Sequence, residues 1–159
     1  MEELHCFEGG SVVKCLESRN KFEAIRELIK KVPLLSHQPN HEQIEAAAIN
    51  RERIYTTGLG RGIAIAHGKT EGLKDLVIVL GISRQGINFN ALDGKPVHLL
   101  FLIVNPPQKN TQYLIALSTL AHILRDEAFR TFLIGEINPR IVEQRISQAF
   151  QSCIKKRYN

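Results

Sequence analysis

Hydrophobic positions change period several times along the chain, and each change marks a candidate element. Phe22, Ile25, Leu28, Ile29 and Val32 recur at the three- and four-residue spacing of a helix face. Asn20, with Glu23 three residues on, forms a capping-box pattern at the start and Pro33 ends the run, so the spacing predicts an amphipathic helix. A linker containing Pro33 and Pro39 leads to Asn40 and Gln43, which repeat the capping pattern; the second helix carries Ile44, Ala47 and Ala48 inward and ends near Arg51. The period then shortens. Ile63 to Ala66 reads as a short buried strand, and Leu76 to Ile82 and His98 to Val104, rich in valine, isoleucine and leucine, read as strands buried on both faces. Asp93-Gly94 and Pro96 punctuate a turn between them, and Pro106-Pro107 stops the later strand.

Helical spacing returns from about Thr111 to Arg125 in Leu114, Leu117, Leu120, Ala121 and Leu124. Asp126 is placed to cap a short helix through Leu133. Asn138 before Pro139 is an N-cap with proline at the first helical position, opening a last helix with Val142, Ile146, Ala149 and Phe150 on one face. Val12 to Leu16 is the expected first strand. Strands separated by helices predict an α/β fold, a single-domain sandwich with a mixed β-sheet flanked by helices.

Composition narrows this picture. A chain of 159 residues, 43% of them hydrophobic and without a compositional break, predicts one domain over residues 1–159. The longest apolar runs fall short of the roughly 20 residues of a membrane span, and Met1 to Gly10 lacks a signal-peptide pattern, which predicts a soluble, cytoplasmic protein with no direct membrane insertion. Cys6, Cys15 and Cys153 are odd in number and widely spaced, indicating neither a disulfide framework nor a zinc site. The formal charge of +5 comes partly from Lys155-Lys156-Arg157, read as a solvated, frayed end; with no aromatic residues interleaved among basic ones, no nucleic-acid partner is expected.

The chemistry concentrates in Asn50-Arg51-Glu52 and in Thr56-Thr57-Gly58-Leu59-Gly60-Arg61-Gly62-Ile63-Ala64-Ile65-Ala66-His67-Gly68-Lys69. Three glycines permit a tight, close-approaching backbone, and the apolar run delivers His67 to the exposed end of a strand. From the residues alone, a structural and a reactive histidine both stay open. The glycines do not make a dinucleotide loop, because the third comes one residue early and a strand follows where a helix is required. His37 and His41 have metal-pair spacing, but Pro39 between them breaks the helix that would align them. His122 falls at a polar helix position, His5 in a terminus, and His98 at a strand end.

These blocks, with Asp93-Gly94-Lys95-Pro96-Val97 and Leu99-Leu100-Phe101-Leu102-Ile103-Val104-Asn105-Pro106 after them, resemble in sequence and order the enzyme IIA components of the bacterial phosphoenolpyruvate-dependent sugar phosphotransferase system, of the fructose/mannitol/nitrogen-regulatory class. The resemblance covers nearly the whole chain. It implies a phosphotransferase component in which His67 accepts a phosphoryl group and Arg51 stabilises it, with no cofactor and no metal. It also implies the histidine phosphocarrier protein as donor, and a IIB component or regulatory target proteins as possible acceptors or readers.

The chemistry suits those roles. A phosphoryl-accepting histidine attacks through a neutral ring nitrogen, abundant at cytoplasmic pH with an ordinary pKa of about 6.5. Transfer needs positioning and charge neutralisation rather than a strong base, so Arg51 is expected on the equatorial oxygens, with loop amides around Gly68 as further donors. No obvious water-activating carboxylate lies inside Thr56 to Lys69, which suits a carrier. Two positions depart from the family pattern: Ala66 stands where proline is common, and Gln112-Tyr113 occupies the region of a second active-site histidine. Tyr113 offers a phenol instead of an imidazolium, and His98 is a candidate replacement. These departures keep open a regulatory binding module with the IIA fold that is weakly or not phosphorylated.

Overall fold

Strands Val12–Val13 (β1), Gly58–Gly60 (β2), Ile63–Lys69 (β3), Val77–Ile87 (β4) and Val97–Asn105 (β5) form one sheet in the order β1-β4-β5-β3-β2. This computed structural model describes residues 4, 6, 7 and 9–158. β1 runs parallel to β4 and β3 parallel to β5, whereas β4 and β5 are antiparallel, as are β2 and β3. The mixed sheet and its helices are the architecture expected from the alternation of periods.

Two apolar layers cover the sheet, and the two-residue period of the strands sorts side chains between them. Ala64, Ala66, Val77, Val79, Leu100, Leu102 and Val104 face helices Lys21–Lys31 (α1), Pro33–Ser36 (α2) and His41–Ile54 (α3). Ile63, Ile65, Ile78, Leu80, Ile82, Leu99, Phe101 and Ile103 face Asn110–Ile123 (α4), Glu127–Gly135 (α5) and Pro139–Tyr158 (α6). Burial on both faces is why β4 and β5 read as continuous apolar runs rather than as alternation.

Three caps were legible and form. Asn20 Oδ1 accepts from the amides of Phe22 and Glu23, Asp126 from Phe129, and Asn138 from Arg140. Asn40 departs from its pattern: its Nδ2 donates to Thr70 Oγ1 at 3.0 Å and to the Glu71 carbonyl at 2.6 Å, so it ties the loop after β3 to the start of α3 instead of capping.

Several boundaries move. α3 continues to Ile54, which puts Arg51 in its last turn rather than at its end. Part of the expected linker is α2, with Pro33 in its first turn. β1 has only two residues, and β2 forms where the glycines suggested loop. On α4 Leu120 is buried, as is Leu124 just beyond, and Leu117 packs against the same core, as the spacing predicts, while Leu114 and Ala121 are exposed and Ala116 and Thr119 complete the inward face. Lys155, Lys156 and Arg157 belong to the last turn of α6, not to a frayed tail. No helix among the described residues is long and apolar enough to cross a membrane.

Candidate functional site

His67 lies inside β3, two residues before its end, and is half-buried. Ile65 donates its amide to the Thr57 carbonyl across β2, so by strand alternation the amides of His67 and Lys69 point to that same side. β2 pairs only as far as Ala64 along this edge, leaving the β3 edge at His67 beyond its ladder. Gly68 points the other way, toward β5, and is packed so tightly on α3 that an added Cβ would sit 3.4 Å from the Ile44 carbonyl oxygen. The expected donation by loop amides around Gly68 is thereby corrected: that residue is in the ladder, and the edge amides are those of His67 and Lys69.

The glycine cluster is also displaced from its expected place. Gly60 and Gly62, with φ of 98° and 79°, and Arg61 between them at 58°, build the β2–β3 turn at the opposite end of β3. Gly62 is five residues from His67, roughly 16 Å at strand rise. These glycines shape the sheet edge and do not cradle the imidazole. His98 belongs to that far end as well: its Nδ1 bonds the Ser83 carbonyl at 2.8 Å and its ring stands 3.6 Å from where a Gly62 Cβ would be. It is a satisfied strand residue and does not reach His67.

Tyr113, near the start of α4, stacks on His67 with ring centroids 3.8 Å apart and planes 12° from parallel. On the ring's other reachable polar side, His67 Nε2 lies 2.6 Å from Asn105 Oδ1 at the end of β5. Asn105 is fully buried; its Nδ2 donates to the Pro106 carbonyl at 2.9 Å and to Asn110 Oδ1 at 3.4 Å. The parallel register His67↔Ile103 and Lys69↔Asn105 creates this contact.

Burial holds the His67 pKa below the ordinary histidine value; the hydrogen bond to Asn105 works against that, and the positive charges of Lys69 and Arg51 add to it. The ring is therefore neutral at neutral pH, with a free lone pair. Burial raises the Tyr113 phenol, with Arg51 opposing, so it stays protonated. Arg51 thus acts on both rings. Its Nη1 donates to the Tyr55 carbonyl at 3.3 Å, and it makes no salt bridge with a described carboxylate.

Glu52, the obvious partner for Arg51 in sequence, is committed elsewhere. Its carboxylate is fully buried, accepts from the Thr57 amide at 3.0 and 3.2 Å and from Thr57 Oγ1 at 2.5 Å, and pairs with Lys21 Nζ at 3.3 Å. Adjacent residues of the last α3 turn thereby divide the work: Glu52 points inward to fix the entry of β2, and Arg51 keeps its cation outward. Sequence reasoning did not single out Lys69 or Asn105. A polar residue closing an apolar strand was the available signal for Asn105, but only the β3–β5 register gives it a partner.

The other histidines stay apart from this site. His37 is exposed after α2, His41 opens α3 and His122 is exposed on α4, while His5 lies outside the described residues. Among the described residues no group of three or more His, Cys, Asp or Glu side chains is placed to hold a metal ion.

A mixed sheet thus presents one half-buried histidine, stacked on Tyr113 and within the field of Arg51 and Lys69. The chain belongs to the family described as phosphoenolpyruvate-dependent sugar phosphotransferase system, EIIA 2, whose model matches residues 6–149. It is 34% identical over 129 residues to the PTS system fructose-specific EIIABC component of Bacillus subtilis, covering 80% of this chain and 20% of that protein. It spans only about a fifth of that relative's length. It is also 32% identical over 117 residues to a nitrogen regulatory protein of Bradyrhizobium diazoefficiens, covering 74% of this chain and 76% of the relative. In three dimensions it is similar to the nitrogen regulatory protein IIA-Ntr from Neisseria meningitidis, with a TM-score of 0.76, 26% identity and coverage of 89% and 93% of the two chains. Membership of this family makes the chain a phosphotransferase component in general terms, in a phosphotransfer or regulatory role.

Proposed function

We propose that His67 accepts a phosphoryl group from the histidine phosphocarrier protein and that Arg51 neutralises the transferring oxygens. The observation that carries this reading is the placement of one neutral imidazole at an open strand edge, within the field of Arg51 and Lys69. Neutrality supplies the nucleophile, and the cations stabilise charge on a phosphoryl group in a loose transition state. The edge amides of His67 and Lys69 add donors on the same side. Acceptor carboxylates are kept away, since Glu52 is buried in its own bonds, so the site has little means of activating water.

The surroundings suit docking. Ile54, Tyr55 and Leu114 are exposed apolar residues next to the site, following Arg51 in α3 and Tyr113 in α4. A shallow apolar rim around a charged centre favours brief contacts of modest area with the phosphocarrier and with a IIB component or a regulatory target.

The experiment is incubation of wild type and His67→Ala with phosphoenolpyruvate, enzyme I and the histidine phosphocarrier protein, followed by intact-mass measurement. One acid-labile phosphoryl group on wild type alone is expected; equal labelling of His67→Ala refutes the assignment. A second reading, a binding module that is not phosphorylated, draws on the closure of the ring between Tyr113 and Asn105. It is favoured if a control IIA protein labels in the same mixture and this chain does not.

A further inference from the structure

We infer that Tyr113 sets the phosphoryl-transfer potential of His67: its ring face lies over the imidazole and attracts the positive charge that the imidazole gains on phosphorylation, so the phosphoryl group is held more tightly on this chain. The consequence for the phosphoryl group rests on the acceptor reading above; the attraction between the two rings rests on geometry alone.

Helix and strand fix the two rings against each other. Tyr113 shares a face of α4 with the buried Ala116 and Leu120 and packs against their core. By alternation along β3, His67 follows Ile63 and Ile65 on the side of the sheet that α4 covers. The rings meet there with centroids 3.8 Å apart and planes 12° from parallel. Two neutral aromatic rings prefer an offset or edge-on arrangement with centroids about 4.5–7 Å apart, as Phe7 and Phe150 adopt at 5.8 Å and 80°. A cation is drawn instead over the ring face, where the quadrupole is negative. The pair at His67 has that second geometry. Burial keeps the Tyr113 phenol protonated, so the attraction belongs to the face and not to a phenolate.

Phosphorylation changes what the face meets. A ring nitrogen of His67 forms the new N–P bond with its lone pair, while the N–P bond of the donor phosphohistidine breaks and its electron pair returns to the donor ring. The proton on the other ring nitrogen of His67 stays where it is, so a neutral imidazole becomes a cationic one. The phosphoryl group is attached in the plane of the imidazole. Its negative oxygens therefore project beyond the ring edge and do not come between the stacked faces.

Dispersion between the stacked rings is present before and after transfer and cancels; the attraction of the face for positive charge arises only with the charge. A contact made in one of two states shifts the equilibrium toward that state by its differential energy. For a half-buried cation on an aromatic face this amounts to roughly 3- to 30-fold in an equilibrium constant. Onward transfer must overcome the same factor, which favours a phosphoryl group that stays long enough to be read by a partner.

Two measurements on the full chain decide this. In the first, the histidine ring resonances of the unphosphorylated protein are titrated, because a proton supplies the same positive charge without a phosphoryl group. The charged groups acting on the ring, Lys69 of β3 and Arg51 of α3, and the neutral Asn105 of β5 are common to all variants. Tyr113→Leu keeps the imidazole covered and removes only the aromatic face; His67 is expected to bind its proton roughly 3- to 30-fold more weakly than in wild type. Tyr113→Phe, which keeps the face and loses the hydroxyl, is expected to restore the wild-type value. Unchanged or tighter proton binding in Tyr113→Leu overturns the inference.

In the second, each chain is mixed with the phosphorylated histidine phosphocarrier protein, without phosphoenolpyruvate or enzyme I, until the phosphoryl group is shared at equilibrium, and both proteins are measured by intact mass. The ratio of phosphorylated chain to phosphorylated carrier is expected to fall roughly 3- to 30-fold in Tyr113→Leu and to hold in Tyr113→Phe. A Tyr113→Phe chain that falls with Tyr113→Leu credits the hydroxyl and overturns the assignment to the face. If Tyr113→Leu does not fold, phenylalanines bearing progressively more ring fluorines at position 113 keep the shape and drain the face; both readouts are expected to fall step by step, and a flat series overturns the inference. Absence of any phosphoryl group on wild type defeats the acceptor reading instead, and the titration then decides the attraction by itself.

Discussion

Replacing Glu52 tests whether the site is built from the inside. Glu52→Ala removes a carboxylate with 0% side-chain exposure and leaves the Thr57 amide and hydroxyl, in a residue 7% exposed, without acceptors. Each such orphan costs about 1–3 kcal/mol. Lys21 keeps 14% of its side chain in contact with water and suffers less from losing its partner. Removing one member of a buried pair is typically worth about 3–5 kcal/mol, and we expect a loss in that range. For a chain of this length that is a fall in Tm of roughly 6–20 °C. Glu52→Gln keeps one acceptor for Thr57 and loses only the charge, so about half the loss is expected. Urea denaturation followed by circular dichroism reads both, with the midpoint shifting at an unchanged slope. A loss below about 1 kcal/mol for Glu52→Ala would refute the claim that this carboxylate anchors the α3–β2 junction beside Arg51.

Arg51 is exposed and bound only through the Tyr55 carbonyl, so Arg51→Ala should leave the denaturation midpoint nearly unchanged while slowing phosphoryl acceptance by about 10²-fold or more, read by rapid-quench labelling. The His67 pKa is depressed mainly by burial, so acceptance should hold steady as pH falls to the ordinary histidine range and drop only below it; Tyr113→Ala, which uncovers the ring, should move that drop upward. The linked stability runs the same way: below about pH 6.5 the unfolded chain binds the proton first, so folding weakens as pH falls through that window. Burial raises Glu27, but the Lys31 ammonium and the Glu17 and Ser18 donors outweigh it and hold the carboxyl at about 2 against a usual 4.5, so the stability it lends is complete above about 4.5 and lost toward 2; Glu27→Gln should flatten the acid limb of a stability profile. Gly81→Ala would bring a Cβ to 2.5 Å from Leu16 Cδ1 and 3.2 Å from Leu28 Cδ1, an overpacking expected to cost about 1–3 kcal/mol in the same urea assay.

Much of this molecule was legible in its sequence because the periods are long and unambiguous. α1 and α6 announce themselves through caps and spaced apolar residues, and β4 and β5 through runs that only two-sided burial explains. What failed was local signal overridden by tertiary context. Gly58 to Gly60 lack any strand propensity, yet β2 forms because β3 offers a free edge, with Leu92 donating its amide to the Gly58 carbonyl on the outer side. Asn40 abandons its cap because Thr70 and Glu71 come within its reach. On α4 the spacing finds Leu117, Leu120 and Leu124 but not Leu114, which follows the His67-stacked Tyr113 and lies on the surface.

The site divides the same way. His67 and Arg51 were visible as residues of a recognisable pattern. Their setting was not: no local rule places the glycine turn a strand's length away, brings Asn105 beside Nε2, or turns Glu52 inward to leave Arg51 without a carboxylate. Each depends on the parallel pairing of β3 with β5 or on the extra turn of α3, which are long-range outcomes.

The proposed role makes His67 itself the carrier of the phosphoryl group. The most direct test is to map that group by electron-transfer fragmentation of the chain after brief incubation with the phosphorylated histidine phosphocarrier protein, keeping the solution alkaline. The added phosphoryl mass is expected on fragments that contain His67 and on none that exclude it. A phosphoryl group localised to any other residue would contradict it.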